Sequence, residues 1–250
     1  MYDFIKLGKE NIGLAYSCTK DYSLWGSEYH QESNKFLINN LGYRIYAFGV
    51  LENKNPVGHA ILVDAKPPLS MVDSKNGLYL HCFYISPKHR NKNIGATLIE
   101  RIEIEVQKDK KEAIFLNTIG IKWMNRDFFE KHGYSMINDD EMDSFMMKQL
   151  GKETEYRIIK DFPVHESKTN QLVINHNPLC PLMLYQYSQL AKIAAEELKE
   201  IDIIETRVEK ASDLSEQFSF GVYFNNLPIL LNEKKINETI KVIKSLQIKI

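Results

Sequence analysis

The chain has 250 residues and a formal net charge of −1, so it can bury a sizeable core, and one large domain or two ordinary ones are both open. The near-neutral balance argues against bulk nucleic-acid binding, although it allows a local basic turn. Cys18, Cys82 and Cys180 are far apart and odd in number, so they form no disulfide framework. No apolar run reaches membrane-spanning length, and Met1–Leu7 lacks a signal-peptide pattern, which sets the expectation of a cytoplasmic, non-membrane protein.

In chain order, Met1–Leu7 alternates as a first strand, and helical spacing marks residues 9–20 and 28–41, the second stopped by Gly42. Residues 43–51 and 56–63 are β-rich and joined by Glu52-Asn53-Lys54-Asn55, as in an antiparallel hairpin. A loop at Lys66–Ser70 and a turn at Asp73–Gly77 lead to a strand over Leu78–Ile85. A basic turn follows, then a helix from about Ala96 with Leu98, Ile99, Ile102 and Val106 on its inward face. A strand at Ala113–Asn117, a helix at 122–131 ended by His132-Gly133, and a strand pair at 134–137 and 144–150 complete this part.

Beyond the polar run Gly151–Glu155 a second pattern opens: strand 171–175, a turn through Cys180-Pro181, a helix to about Lys199, and a strand at 201–208. A short helix near 213–217, strands at 220–224 and 229–231, and a helix from Lys235 follow. No internal repeat links the halves.

The stretch from Leu78 to Leu98 is the chemical centre. Strand, donor-rich turn and helix in that order make an anion seat, because the turn N–H groups and the positive helix end converge. Arg90-Asn-Lys-Asn-Ile-Gly95 lies in this turn, and Phe129-Glu-Lys-His-Gly-Tyr134 ends a helix about forty residues later. On these two motifs, residues 1–150 resemble the GNAT-family N-acetyltransferases. The resemblance departs at Asn93, where the family has Gly; Asn tolerates left-handed backbone geometry.

The resemblance implies acetyl-CoA as cosubstrate, with no metal. The coenzyme A pyrophosphate would sit on the N–H groups of Asn91, Lys92, Asn93, Ile94, Gly95 and Ala96, with charge from Arg90 and Lys92 and a hydroxyl from Thr97. It also implies that Phe83, Tyr84 and Ile85 splay from the neighbouring strand to pair with the pantetheine arm, the Ile85 N–H facing the thioester oxygen. Asn117, Phe128 and Phe129 complete the expected cofactor set. An amine would then attack directly, without an acyl-enzyme.

A primary amine of pKa about 10 must lose a proton first, and His81 is the candidate base, with Tyr79 on its face by alternation. The same alternation points Cys82 the other way, into the core. Phe129 stands where the family has its general acid, a Tyr; Tyr134, another hydroxyl or water would protonate the leaving thiolate, or nothing would. His59 and His89 read as surface or strand residues, and Trp123, Phe128 and Phe129 as core. Trp25 fits either a core or a substrate pocket.

The strand and helix order after Gln171 resembles a thioredoxin or glutaredoxin fold. Cys180-Pro-Leu-Met183 stands in the place of that family's Cys-Pro-x-Cys. A thiolate at Cys180 would gain from the helix N-terminus, but Met183 removes the two-thiol cycle, and Ser219-Phe-Gly221 replaces the usual cis-Pro. A binding or structural module is the expectation, with Cys180 as its candidate reactive thiol. GNAT followed by a thioredoxin-like domain resembles the YoaP-like acetyltransferases.

The reading is therefore α/β (α+β): a GNAT acyl-CoA N-acyltransferase domain at 1–150, a linker at 151–165 and a smaller thioredoxin-like domain at 166–250. The expected function is acetyl transfer from acetyl-CoA to the amine of a small molecule or aminoacyl substrate, without nucleic acid or membrane; a homodimer is compatible with it. The alternative is a non-catalytic acyl-CoA-binding or regulatory protein whose second domain binds a partner.

Overall fold

A computed structural model describes residues 1–42, 44–67, 69–118, 124–139, 144–159, 168–176, 178–207, 221–229, 231 and 236–247. The expected short helix at 213–217, the Ser219-Phe220 position and Trp123 lie outside the described residues. The chain divides into two compact units, Met1–Trp25 with Leu37–Lys160, and Gly26–Phe36 with Asp161–Ile250. Among the described residues no helix is long and apolar enough to cross a membrane.

The first unit is built on a seven-stranded sheet. In chain order its elements are β1 (Tyr2–Lys6), α1 (Glu28–Asn40, only the end of which belongs here), β2 (Ile45–Glu52), β3 (Asn55–Asp64), β4 (Val72–Asp73) and β5 (Gly77–Ile85). Then come α2 (Ile94–Lys108), β6 (Ala113–Thr118), α3 (Arg126–Lys131), β7 (Ser135–Asp139), β8 (Ser144–Gln149) and β9 (Arg157–Ile158). The sheet order is β1-β2-β3-β5-β6-β8-β7, antiparallel throughout except for the parallel pair β5·β6. The β2–β3 hairpin turns on Asn53 and Lys54, both at positive φ, the geometry that matches strand twist.

One side of this sheet is covered by α2, whose Leu98, Ile99, Ile102 and Val106 are buried as the helical spacing requires. They pack with Leu78, Leu80, Phe83, Ile114, Leu116 and Phe129 in a single apolar cluster. Glu103 shares that buried face because Lys148 Nζ donates to its Oε2 at 2.6 Å.

Three local expectations are corrected. Residues 9–20 form no α-helix: two short 3-10 turns, Ile12–Leu14 and Ser17–Tyr22, are separated by Tyr16 in the left-handed region at φ 56°, which no α-helix can contain. The helix expected at 122–131 is described only from Arg126, where the Asn125 side chain caps it by accepting from Phe128 N. Helix α2 starts two residues before Ala96, at Ile94, because Asn93 takes the left-handed conformation and ends the turn.

The segment expected as a linker contains β9, which pairs with β4 through Val72↔Ile158 and Asp73↔Arg157. The Phe115 and Tyr156 rings meet at 5.3 Å, so the chain remains anchored to the first unit through Ile158. A two-residue strand leaves almost no periodic signal in a sequence.

The second unit contains Gly26–Phe36, which includes most of α1, then β10 (Gln171–His176), α4 (Pro181–Glu197), β11 (Asp202–Arg207), β12 (Gly221–Phe224), β13 (Leu227–Ile229) and α5 (Ile236–Leu246). Its four-stranded sheet runs β11-β10-β12-β13, with β10·β11 parallel and the other pairs antiparallel. Leu172, Ile174, Val222 and Phe224 of the sheet pack against Leu190 and Ala194 of α4 and Ile240 and Ile243 of α5.

Ile102→Ala removes a fully buried side chain from the middle of α2. It should cost about 2–5 kcal/mol, read as a lower urea midpoint at unchanged slope.

Candidate functional site

Strand β5 is the pivot. It pairs with β6 only from Gly77↔Ala113 to Tyr79↔Phe115, while its pairing with β3 continues to Gly58↔Ile85. From Leu80 onward, therefore, β5 and β6 form no ladder pairs among the described residues. The hydrogen-bond alternation shows which groups face the gap. Ser86 N donates to Val57 O at 2.9 Å, towards β3, so the neighbouring Ile85 backbone groups point away from β3. The Ile85 carbonyl does so visibly, since it accepts from Arg90 Nε at 3.0 Å.

The second component is the start of α2. Asn93, at φ 60°, is its N-cap, and its side chain makes no capping hydrogen bond. The first N–H groups of the helix therefore lack the side-chain partner that usually satisfies them, and the positive helix end is open to an anion. Gly95 fits beneath α3 because a Cβ there would lie 3.3 Å from the Phe128 ring. The Thr97 hydroxyl bonds back to Asn93 O at 3.1 Å.

Both components open onto one cavity of about 720 Å³. β5 contributes Phe83, Tyr84 and Ile85. The turn and α2 contribute Arg90, Asn91, Asn93, Ile94, Gly95 and Ala96, and α3 contributes Phe128 and Phe129. Of the cofactor residues expected from the sequence, Lys92, Thr97 and Asn117 do not line it. His89, read as a surface or strand residue, lines it, as do Met124, Asn125 and His132, to which no cofactor role was given. Their one legible signal was position, beside the two motifs. His132 is fixed by Nδ1 at 2.6 Å from Phe128 O, and Phe129 by rings of Phe83, Phe128 and Tyr134 at 5.1–5.8 Å.

His81 is the unpaired residue of a β-bulge: Ile61 faces Cys82 while Leu62 faces Leu80. Burial pushes its pKa down to about 4, so at neutral pH it is an uncharged imidazole, able to accept a proton but only weakly basic. The bulge also corrects the placement of Cys82. Alternation is interrupted at His81, so Cys82 lies on the face of Tyr84, where its Sγ is 3.2 Å from His59 Nε2 and half-buried. His59, read as a surface or strand residue, lies on β3 and is fully buried.

Tyr79 is buried on β5 and does not line the cavity. Tyr134 does not reach it either. It is 3% exposed, packed on Phe129, and burial with the nearby Glu103 carboxylate holds its hydroxyl pKa well above the usual value. The Tyr84 hydroxyl, whose pKa is raised by burial and by Asp21, donates to the Asp21 carboxylate. In the second unit, Cys180 is the half-buried N-cap of α4, with Pro181 at the first helical position. Among the described residues no group of three or more His, Cys, Asp or Glu side chains is arranged to hold a metal ion.

Residues 15–134 match the profile of a family described as the acetyltransferase (GNAT) family. The chain carries a GNAT acetyltransferase domain. The activity that goes with it is acetyl-CoA-dependent N-acetyl transfer, and acetyl-CoA is the cosubstrate. Among solved structures, the PaiA N-acetyltransferase of Thermoplasma acidophilum in complex with coenzyme A is 20% identical, covering 60% of this chain and 99% of its own, at TM-score 0.45. A GNAT-family acetyltransferase of Staphylococcus aureus Mu50 is 16% identical, with the same coverage and TM-score. The ribosomal-protein-S18-alanine N-acetyltransferase of Escherichia coli is 15% identical, covering 61% and 96%, at TM-score 0.45. No curated protein matches the sequence.

The depressed His81 pKa links folding to pH. Between the ordinary His value of 6.5 and about 4 the unfolded chain binds a proton that the folded one does not, so stability falls as pH drops through that window. Thermal unfolding from pH 7 to 4 should show this loss, and His81→Asn should flatten it.

Proposed function

We propose that the cavity holds acetyl-CoA with its pyrophosphate at the start of α2 and its pantetheine arm along the open edge of β5, and that the acceptor is the amine of a small molecule or aminoacyl group. One observation carries this reading: the helix start without a side-chain cap and the stretch of β5 that, among the described residues, has no ladder pair with β6 face the same 720 Å³ space. Arg90, Asn91, Asn93, Ile94, Gly95 and Ala96 bind the anion in this proposal, and the Ile85 N–H is the donor to the thioester oxygen. Lys92 adds charge from outside the cavity wall.

An incoming amine attacks the thioester directly in this reading. His81, which is not among the residues lining the cavity, is uncharged and in this reading takes the amine proton through water and passes it to solvent, since a conjugate acid near 4 cannot hold it. A coenzyme A thiolate, of pKa about 8.5, leaves without obligatory help. A cytoplasmic location belongs to the same proposal.

A second reading is favoured by Phe129, which is fully buried and carries no proton to donate where a tyrosine would. In it the protein binds acyl-CoA without turnover, and the second unit recruits a partner. The order β10-α4-β11-β12-β13-α5 and the sheet order β11-β10-β12-β13 support a thioredoxin-like reading of that unit, with Cys180 at the helix start. An alkylation-rate profile placing the Cys180 pKa at or above about 8.5 would remove a reactive-thiol role.

Calorimetry of the full chain with acetyl-CoA tests the cofactor site. Binding is expected, and Asn93→Glu with Gly95→Glu, which puts carboxylates into the anion seat, should weaken it by at least about tenfold. Equal affinity in the variant contradicts the placement. A panel of amines with a free-thiol readout separates the two readings: coenzyme A release on some amine supports transfer, and binding without release on any supports the second.

A further inference from the structure

Away from the cavity, two cysteines distant in sequence meet one buried imidazole. His59 on β3 has no exposed surface; its ring is stacked on Tyr84 at 5.6 Å and met edge-on by Tyr16 at 5.8 Å. The 3-10 turn Ser17–Tyr22 brings Ser17 Oγ to 3.0 Å from His59 Nδ1 and Cys18 Sγ to 3.9 Å from Nε2. Strand β5 brings Cys82 Sγ to 3.2 Å from the same Nε2. Both cysteines are thiols, and both are half-buried, so each keeps some surface that a small solute meets.

A histidine in hydrogen-bond contact with a thiol raises its thiolate fraction, and the thiolate is the form that oxidants attack. A second thiol beside the first decides what the oxidised sulfur does next. We propose that Cys82 and Cys18 form a reversible oxidation site, in which Cys82 reacts with a hydroperoxide and Cys18 resolves the product as an intramolecular disulfide. Cys82 is the attacking thiol because its sulfur lies closer to Nε2. The reaction needs neither acetyl-CoA nor the cavity, so it stands apart from the acetyl-transfer reading. Its product ties the Ser17–Tyr22 turn to β5 within the first unit.

With the Nδ1 proton donated to Ser17 Oγ, Nε2 accepts the proton of the Cys82 thiol. The thiolate sulfur bonds to the terminal oxygen of the hydroperoxide, and the O–O bond breaks. His59 gives its proton to the departing oxygen, which leaves as an alcohol, or as water when the oxidant is hydrogen peroxide. Cys82 is then a sulfenic acid. The Cys18 sulfur bonds to the Cys82 sulfur, the S–O bond breaks, and the hydroxide departs with the Cys18 proton as water. The two thiols have lost two electrons and the peroxide has gained them.

The test treats the fully reduced full chain with stoichiometric hydrogen peroxide and maps its non-reduced peptides by mass. A Cys18–Cys82 link that dithiothreitol reverses is expected. Cys18→Ser should stop the reaction at a Cys82 sulfenic acid, trapped by dimedone, and Cys82→Ser should leave no link. Cys180→Ser should form the link at the parent rate, and His59→Gln should slow it by at least about tenfold. Since His59→Gln can unfold the chain, the near-isosteric Cys18→Ser carries the decision, with its fold checked by circular dichroism. Oxidation that leaves Cys18 and Cys82 unlinked, that links either one only to Cys180 or to another chain, or that attacks Cys82 no faster than in the urea-unfolded chain overturns the proposal.

Discussion

The site depends on a parallel pair that stops early. Strands β5 and β6 stay in register only from Gly77↔Ala113 to Tyr79↔Phe115. A buried strand edge without partners is costly, and an extended ligand that supplies its own hydrogen-bonding groups relieves that cost. The bulge at His81 sits just past the last shared pair and raises the local twist, so the divergence and the bulge belong to one distortion. The same distortion decides which β5 side chains look toward α2 and which toward His59.

Helix α2 completes the site by what it lacks. Its N-cap side chain makes no hydrogen bond, its second residue has no Cβ, and its first turn carries no acidic residue to compete with an anion. Burial of Ile94, Leu98, Ile99, Ile102 and Val106 fixes the helix on the sheet, so the helix start is aimed by apolar packing rather than by any polar contact. Asn93 meets the left-handed requirement that a glycine would otherwise fill.

Much of this was legible in the residues. The strand into Ile85, the Arg90–Gly95 turn and the apolar face of α2 all carry strong local patterns, and most of the expected cofactor residues line the cavity. Cys82 was misplaced because period-two alternation assumes an uninterrupted ladder, and nothing around His81 announces the extra residue. Residues 9–20 misled by apolar spacing, since positive φ at Tyr16 is imposed by tertiary packing around a buried ring rather than by its own propensity. β9 was too short to show, and the uncapped state of α2 is a fact about hydrogen bonds rather than about residue type.

The central claim is that the open edge of β5 and the start of α2 receive one ligand through backbone groups. Amide hydrogen exchange on the full chain with and without coenzyme A tests it residue by residue. The account predicts slower exchange at Ile85 and across Asn93–Ala96 on coenzyme A addition. Binding with unchanged exchange at these amides, and protection elsewhere, would contradict it.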